Sequence, residues 1–237
     1  KVKPASQGKD ADRFDLETET HNYFANNVLV HNCNSRFVYA KTKLGKWKLF
    51  CGSRTRWIKE VTPTYFTKFL SKIIGLVSRS WQVKFNRRNN IDGYLQESVW
   101  TDMPKINRAI EIWCKANPEK ILYGEIFGNV QDLRYGAIES QYYFAAFDIL
   151  DHGKWLNYDE FCTSVDSVPG LDRVPEVYRG PFNLEMLKTL SDSLDSKWPG
   201  ANHLAEGIIV RPPQEQIHPR CGRMVLKLVS NRYLERD

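Results

Sequence analysis

No apolar run in this chain approaches the roughly 20 residues that a membrane-spanning helix needs. No signal-peptide pattern of basic start, apolar middle and small-residue cleavage site opens it. The five cysteines, Cys33, Cys51, Cys114, Cys162 and Cys221, include no Cys-x-x-Cys pair. An odd, scattered set argues against a zinc site or a disulfide framework, so a reducing, cytoplasmic setting fits. Internal repeats and low-complexity tracts are missing as well. So is a net negative charge: 34 Lys+Arg outnumber 28 Asp+Glu, giving +6. The excess lies beyond residue 32, because residues 1–32 hold four basic and five acidic side chains. Such a balance suits a polyanion partner, and a plain solvated basic surface would look the same.

What is present is an ordinary globular composition, 42% hydrophobic and 26% charged over 237 residues, enough for one good-sized domain. Alternation marks strands at 13–20 and 22–30, and 36–50 reads as a hairpin turning near Leu44-Gly45. Phe66, Phe69, Leu70, Ile73, Ile74 and Val77 recur at helical spacing, which predicts a helix over 64–78. A second helix is expected over 103–116, with Pro104 near its first turn and Ile106, Ile110 and Trp113 on one face. Further strands are expected at 121–127, 142–150, 207–211 and 224–229, and helices at 157–165 and 183–194. Interrupted strands mixed with separate helices predict an α+β fold of antiparallel sheets with flanking helices.

One stretch stands apart: His21, then the apolar run to Val30, then His31-Asn32-Cys33. It resembles the C-terminal splice junction of an intein. In such a junction the Asn32 side chain attacks its own carbonyl and releases the peptide that follows. His31 and His21 are the imidazoles that would assist, since histidine titrates near neutral pH. Cys33 would supply the thiolate for transesterification, and Asp15 would assist it by family analogy. The resemblance divides the chain into a short β-rich intein fragment, 1–32, and a second domain, 33–237. An ordinary β-hairpin with a surface histidine and asparagine is the plainer alternative.

Beyond the junction, short motifs follow in order: Cys33-Asn34, Cys51-Gly52-Ser53-Arg54-Thr55, Tyr123-Gly124-Glu125, Ala146-Phe147-Asp148-Ile149, Glu206-Gly207-Ile208-Ile209-Val210-Arg211 and Met224-Val225-Leu226-Lys227-Leu228. Each alone is weak. Together they resemble the covalent nucleotidyltransferases, and among these the RNA ligases of the phage RNA ligase 2 type. That family's first motif, Lys-x-(Asp/His)-Gly-x-Asn, is matched only by its last two positions. Leu29-Val30-His31-Asn32 stand where the nucleophilic lysine segment belongs. The resemblance therefore implies that the lysine comes either from an N-terminal ligase–intein partner half acting in trans or from the preceding part of a longer precursor of which this chain is a fragment.

The resemblance implies a chemistry and a site. A lysine amine attacks the α-phosphate of ATP, AMP passes to a 5′-phosphate end, and a 3′-hydroxyl displaces it. Arg54 and Lys227 are the expected phosphate clamps. Glu206 is expected to hold Mg²⁺ or Mn²⁺, hard cations that prefer oxygen ligands. Glu125 would accept from the ribose hydroxyls, and Phe147 would offer its face to adenine, plain core packing being its other reading. Asp148 reads either as a cofactor-binding residue or as a local hydrogen-bonding one. Asn34 and Arg36 are placed to orient the nucleotide or the polynucleotide end, although a solvated Arg36 is equally open. Arg54, Arg56, Arg87 and Arg88 are candidates for tracking an RNA or other polynucleotide backbone. Relatives often carry Lys-x-Lys in the last motif; here Val229 replaces the second lysine, and Arg223 is a candidate substitute. The competing readings are a DNA ligase, an mRNA guanylyltransferase, and a non-catalytic nucleic-acid-binding remnant.

Overall fold

The computed structural model describes residues 14–17, 22–25, 33–54, 57–58, 65–89, 99–129 and 133–236, with side chains from Asn34 onward except 87–89. Two short strands, β1 (Phe14–Glu17) and β2 (Asn22–Ala25), pair antiparallel. The hairpin follows as β3 (Cys33–Lys41) and β4 (Trp47–Ser53). Its turn uses Gly45 at φ +75°, a left-handed conformation that suits glycine. Next come α1 (Tyr65–Val77) and α2 (Arg79–Asn89), then α3 (Val99–Ile106) and α4 (Arg108–Ala116).

The single helix expected over 103–116 is two. Asn107 breaks it: its backbone is extended and its side chain accepts from the Ala109 N–H at 3.0 Å, capping α4. Pro104 lies inside the preceding helix α3. The break turns Ile106 out to 53% exposure, while Ile110 and Trp113 are fully buried.

The strands β5 (Ile121–Gly128), β6 (Tyr142–Asp151) and β7 (Lys154–Trp155) complete one antiparallel sheet in the order β4-β3-β5-β6-β7. Successive side chains on a strand face opposite ways. Phe37, Leu122, Ile126, Phe144, Ala146 and Ile149 therefore fall on one face, where they meet Met103, Ile110 and Trp113. Phe161 and Val165 of α5 (Tyr158–Asp166) join this core. The Trp113 indole N–H donates to the Ser164 carbonyl at 3.1 Å, so burying the ring strands no donor.

Beyond α6 (Leu184–Ser193), β8 (Gly207–Val210) pairs with β11 (Leu226–Val229) in a second small sheet, with β9 (Ile217–His218) and β10 (Gly222–Arg223) as a hairpin between them. The short helix α7 (Asn231–Leu234) follows. Mixed α and β elements, antiparallel sheets and flanking helices are the expected fold class. Among the described residues, no helix is long and apolar enough to cross a membrane.

Candidate nucleotide site

The sheet face opposite the core carries the motif residues. On β3 and β5, Asn34 stands across from Glu125 and Arg36 from Tyr123. Between them, Ser35 points to the core side, where its hydroxyl donates to the Gly124 carbonyl at 2.8 Å. The Trp100 indole N–H donates to the Asn34 carbonyl at 3.0 Å, tying α3 to this strand. Ala145 stands opposite Glu125 on β6, and its small side chain leaves room beside the carboxylate.

Two motif glycines are fixed by close approach. A Cβ on Gly124 would run into the Phe144 ring, which packs edge-on to Phe37 at 5.5 Å. A Cβ on Gly207 would collide with the Leu228 carbonyl and come within 2.9 Å of the Val229 Cα. The β5–β6 register also shifts here: Tyr123 pairs with Asp148 and Gly124 with Ala146, leaving Phe147 as the extra residue of a bulge. A bulge re-aims a side chain out of the regular alternation. Phe147 is half-buried there.

The structure brings four of the expected site residues into one electrostatic neighbourhood. Lys227 of β11 lies in the fields of Glu125, Glu206 and Arg54. Burial is the strongest influence and pushes its ammonium below the ordinary lysine range. The two glutamates oppose that shift and Arg54 reinforces it. These residues come from β5, from the segment before β8, from the bend just after β4 and from β11. Arg36 lies near this face, with its guanidinium carbon 4.2 Å from the centre of the Trp57 ring. Its buried Nε has no hydrogen-bond partner among the described residues.

Tyr135 is a site residue that the sequence reading missed. Its hydroxyl donates to a Glu206 carboxylate oxygen at 3.1 Å. It sits at φ +51°, an unfavourable conformation for an aromatic residue. Its ring meets Phe127 edge-on at 5.0 Å and His203 at 4.5 Å. Burial first, then Glu206, raises the phenol far above its usual range, so it stays a donor. No motif flagged it, because the left-handed backbone and the contact with Glu206 exist only in the folded chain.

Asp148 is deeply buried between two arginines. Arg223 donates to its Oδ2, and the Arg211 guanidinium lies 3.2 Å from its Oδ1. Arg223 also donates to both oxygens of Glu215, at 2.6 and 2.5 Å, and its guanidinium carbon lies 4.2 Å from the centre of the Trp155 ring. Asp148 thus sits in a hydrogen-bonded ion-pair network. Arg223, the candidate replacement for a second lysine, is held by the same two carboxylates. His21, His31 and Asn32 lie outside the described residues, as do the side chain of Cys33, Thr55-Arg56 and the side chains of Arg87 and Arg88.

The described residues contain no cluster of three or more His, Cys, Asp or Glu side chains suited to a metal ion. A divalent ion that keeps water and phosphate oxygens needs only one or two protein carboxylates. Glu206 and Glu125 are the carboxylates beside Lys227, and their hard oxygen donors fit such an ion.

Solved structures of a Naegleria gruberi RNA ligase resemble this fold. A glutamate mutant with AMP and Mn superposes with a TM-score of 0.56 at 18% identity. A lysine mutant with ATP and Mn, and the ligase with PPi, each superpose at 0.54 and 19%. Each match covers 86% of this chain and 48% of the other, so the chain spans about half the length of those ligases. No curated protein matches it by sequence. The RNA ligase family model matches residues 30–229, a span that contains every motif residue from Asn34 to Lys227, and the chain belongs to the RNA ligase family.

Proposed function

We propose that residues 33–237 supply most of the nucleotide site of an ATP-dependent RNA ligase that joins 5′-phosphate to 3′-hydroxyl ends through enzyme–AMP and AMP–polynucleotide intermediates. The observation that carries this reading is the convergence of Lys227, Glu125, Glu206 and Arg54 from four separate motifs. A buried cation flanked by a second cation suits an anionic phosphate, whose charge restores the ammonium that burial disfavours. The ATP, AMP, PPi and Mn held by the Naegleria gruberi structures support a nucleotide and a divalent metal here. Family membership favours RNA ligase over DNA ligase and guanylyltransferase.

In this reading Lys227 and Arg54 steady the phosphates. Glu125 accepts from the ribose, and Phe147 at the bulge offers a face to the base. Glu206 would hold Mg²⁺ or Mn²⁺, which supplies charge neutralisation at the phosphates when bound. Among the described residues Arg36 has an unmet donor, which suits a ligand oxygen, and Asn34 lies across from Glu125.

Residues 1–32 are read as an intein C-terminal fragment, and the lysine nucleophile as the contribution of a partner half joined at Cys33. One observation supports this: His-Asn-Cys occupies the place of the lysine motif. The test is to incubate the chain with labelled ATP alone and after mixing with an N-terminal ligase–intein half. Labelled enzyme and RNA sealing are expected only after splicing, and Asn32→Ala should block release of the tail. A labelled lysine in the isolated chain would refute the split, and spliced enzyme that never takes the label would refute the ligase reading.

A further inference from the structure

The helical pair α1–α2 turns polar groups inward and rings outward. The seam between the helices is polar: the Ser71 hydroxyl donates to the Asn86 amide oxygen at 2.5 Å, and the Gln82 amide donates to the Ser71 carbonyl at 3.1 Å. Ser71 and Asn86 are buried in it. The large rings stand outside instead, with Tyr65, Phe69 and Trp81 at 94%, 61% and 67% exposure. Water-facing rings on a helix whose own seam is polar indicate a face built to be covered.

The charges say by what. Residues 65–89 contain six Lys+Arg and no Asp or Glu. The four whose side chains are described, Lys68, Lys72, Arg79 and Lys84, are all exposed. None of these four is ion-paired to a carboxylate among the described residues. Elsewhere on the surface, lysines on α3, α4 and α6 do pair with an acid on their own helix. On α1, Tyr65, Lys68, Phe69 and Lys72 follow one another at i, i+3, i+4 and i+7, so rings and cations alternate along one stripe. Trp81 and Lys84 repeat the spacing on α2.

We infer that this hairpin docks a single-stranded polynucleotide, its cations meeting the phosphates and its rings stacking on unpaired bases. Exposed rings select the single strand, because a closed duplex buries its base faces and offers mainly phosphates. The inference rests on the ligase reading and extends it by naming the form of substrate. The hairpin follows β4 and Arg54, the residue just after that strand, so a polynucleotide held there lies on the chain segment that carries the proposed phosphate clamp.

The test uses the full 237-residue chain and fluorescence anisotropy. The probes are a labelled oligouridylate of about twenty nucleotides and an RNA duplex of similar length. The single strand should bind more tightly, weakening steeply as salt rises from about 50 to 200 mM. Replacing Lys68, Lys72, Arg79 and Lys84 together by Gln should flatten the slope of log affinity against log salt by about three, at roughly 0.7 per lost phosphate contact. Phe69→Ala and Trp81→Ala should each weaken the single strand about tenfold and leave the duplex unchanged. Circular dichroism should show an unaltered fold, since none of these six side chains lies in the seam. Unchanged affinity and slope in the variants, or preference for the duplex, would overturn the inference. So would a dimer in sedimentation that Phe69→Ala dissociates, which would assign the face to a second copy of the chain. Loss of binding in the variants while spliced enzyme fails to seal any RNA would sink the ligase reading and leave the docking surface standing.

Discussion

The Tyr135 hydroxyl donates to the Glu206 carboxylate across 3.1 Å, joining the segment between β5 and β6 to the motif before β8. The chain holds an aromatic residue at φ +51° to make this contact, a backbone cost of roughly 1–3 kcal/mol. The contact engages one oxygen of Glu206 and fixes the carboxylate's orientation; in the proposed site the other oxygen would serve the ion.

Tyr135→Phe keeps the ring and removes only the donor. Hydrogen bonds to charged groups contribute about 1.5–3 kcal/mol, so sealing should slow by roughly tenfold or more. The divalent-metal concentration for half-maximal rate should rise while the KM for polynucleotide holds. Metal titrations of sealing rate check this. An equal loss at every metal concentration would show that the hydroxyl does not orient Glu206.

Lys227 should impose a proton balance on nucleotide binding. Burial holds its folded pKa below the ordinary lysine value, with Arg54 acting the same way and Glu125 and Glu206 opposing. The folded chain therefore sheds this proton before the unfolded chain does. The contribution of Lys227 to stability then rises with pH between the depressed value and the ordinary one, about 10.4. A bound phosphate has the opposite effect and recovers the proton. Calorimetric titration of AMP in two alkaline buffers of different ionisation enthalpy should reveal proton uptake, and Lys227→Met should abolish it. Uptake that survives the substitution would assign the proton to another group.

The Asp148 network should govern stability. Asp148→Asn leaves two buried guanidinium groups short of a negative charge, and Arg223→Met leaves two carboxylates short of a positive one. Breaking one partner of a buried pair costs about 3–5 kcal/mol, which lowers Tm by roughly ten degrees in a chain of this size. The double variant should lose less than the sum. Thermal melts of the three variants decide it; strict additivity would mean that the two residues do not share a network.

Helical spacing announced α1, α5 and α6 to within a residue or two, because that pattern depends only on which side chains repeat. It could not show which way a stripe would face. Phe66 and Phe69 are exposed although their spacing is that of a buried helix. Asn107 was invisible as a break, since a cap acts only once the helix beyond it forms. The motif residues were legible one by one, while their convergence was not. Asp148 and Arg223 illustrate the limit: both were candidates for the nucleotide, and packing joins them to each other.

The sequence by itself determined most of the longer strands, the helices α1, α5 and α6, and the order of the motifs, because local periodicity is a property of residues. Only the tertiary structure decided which acids surround Lys227, that Tyr135 holds Glu206, and that Arg223 is bonded to Asp148 and Glu215. Those outcomes depend on burial and on distances between strands far apart in the chain, and neither quantity exists until the sheets have formed.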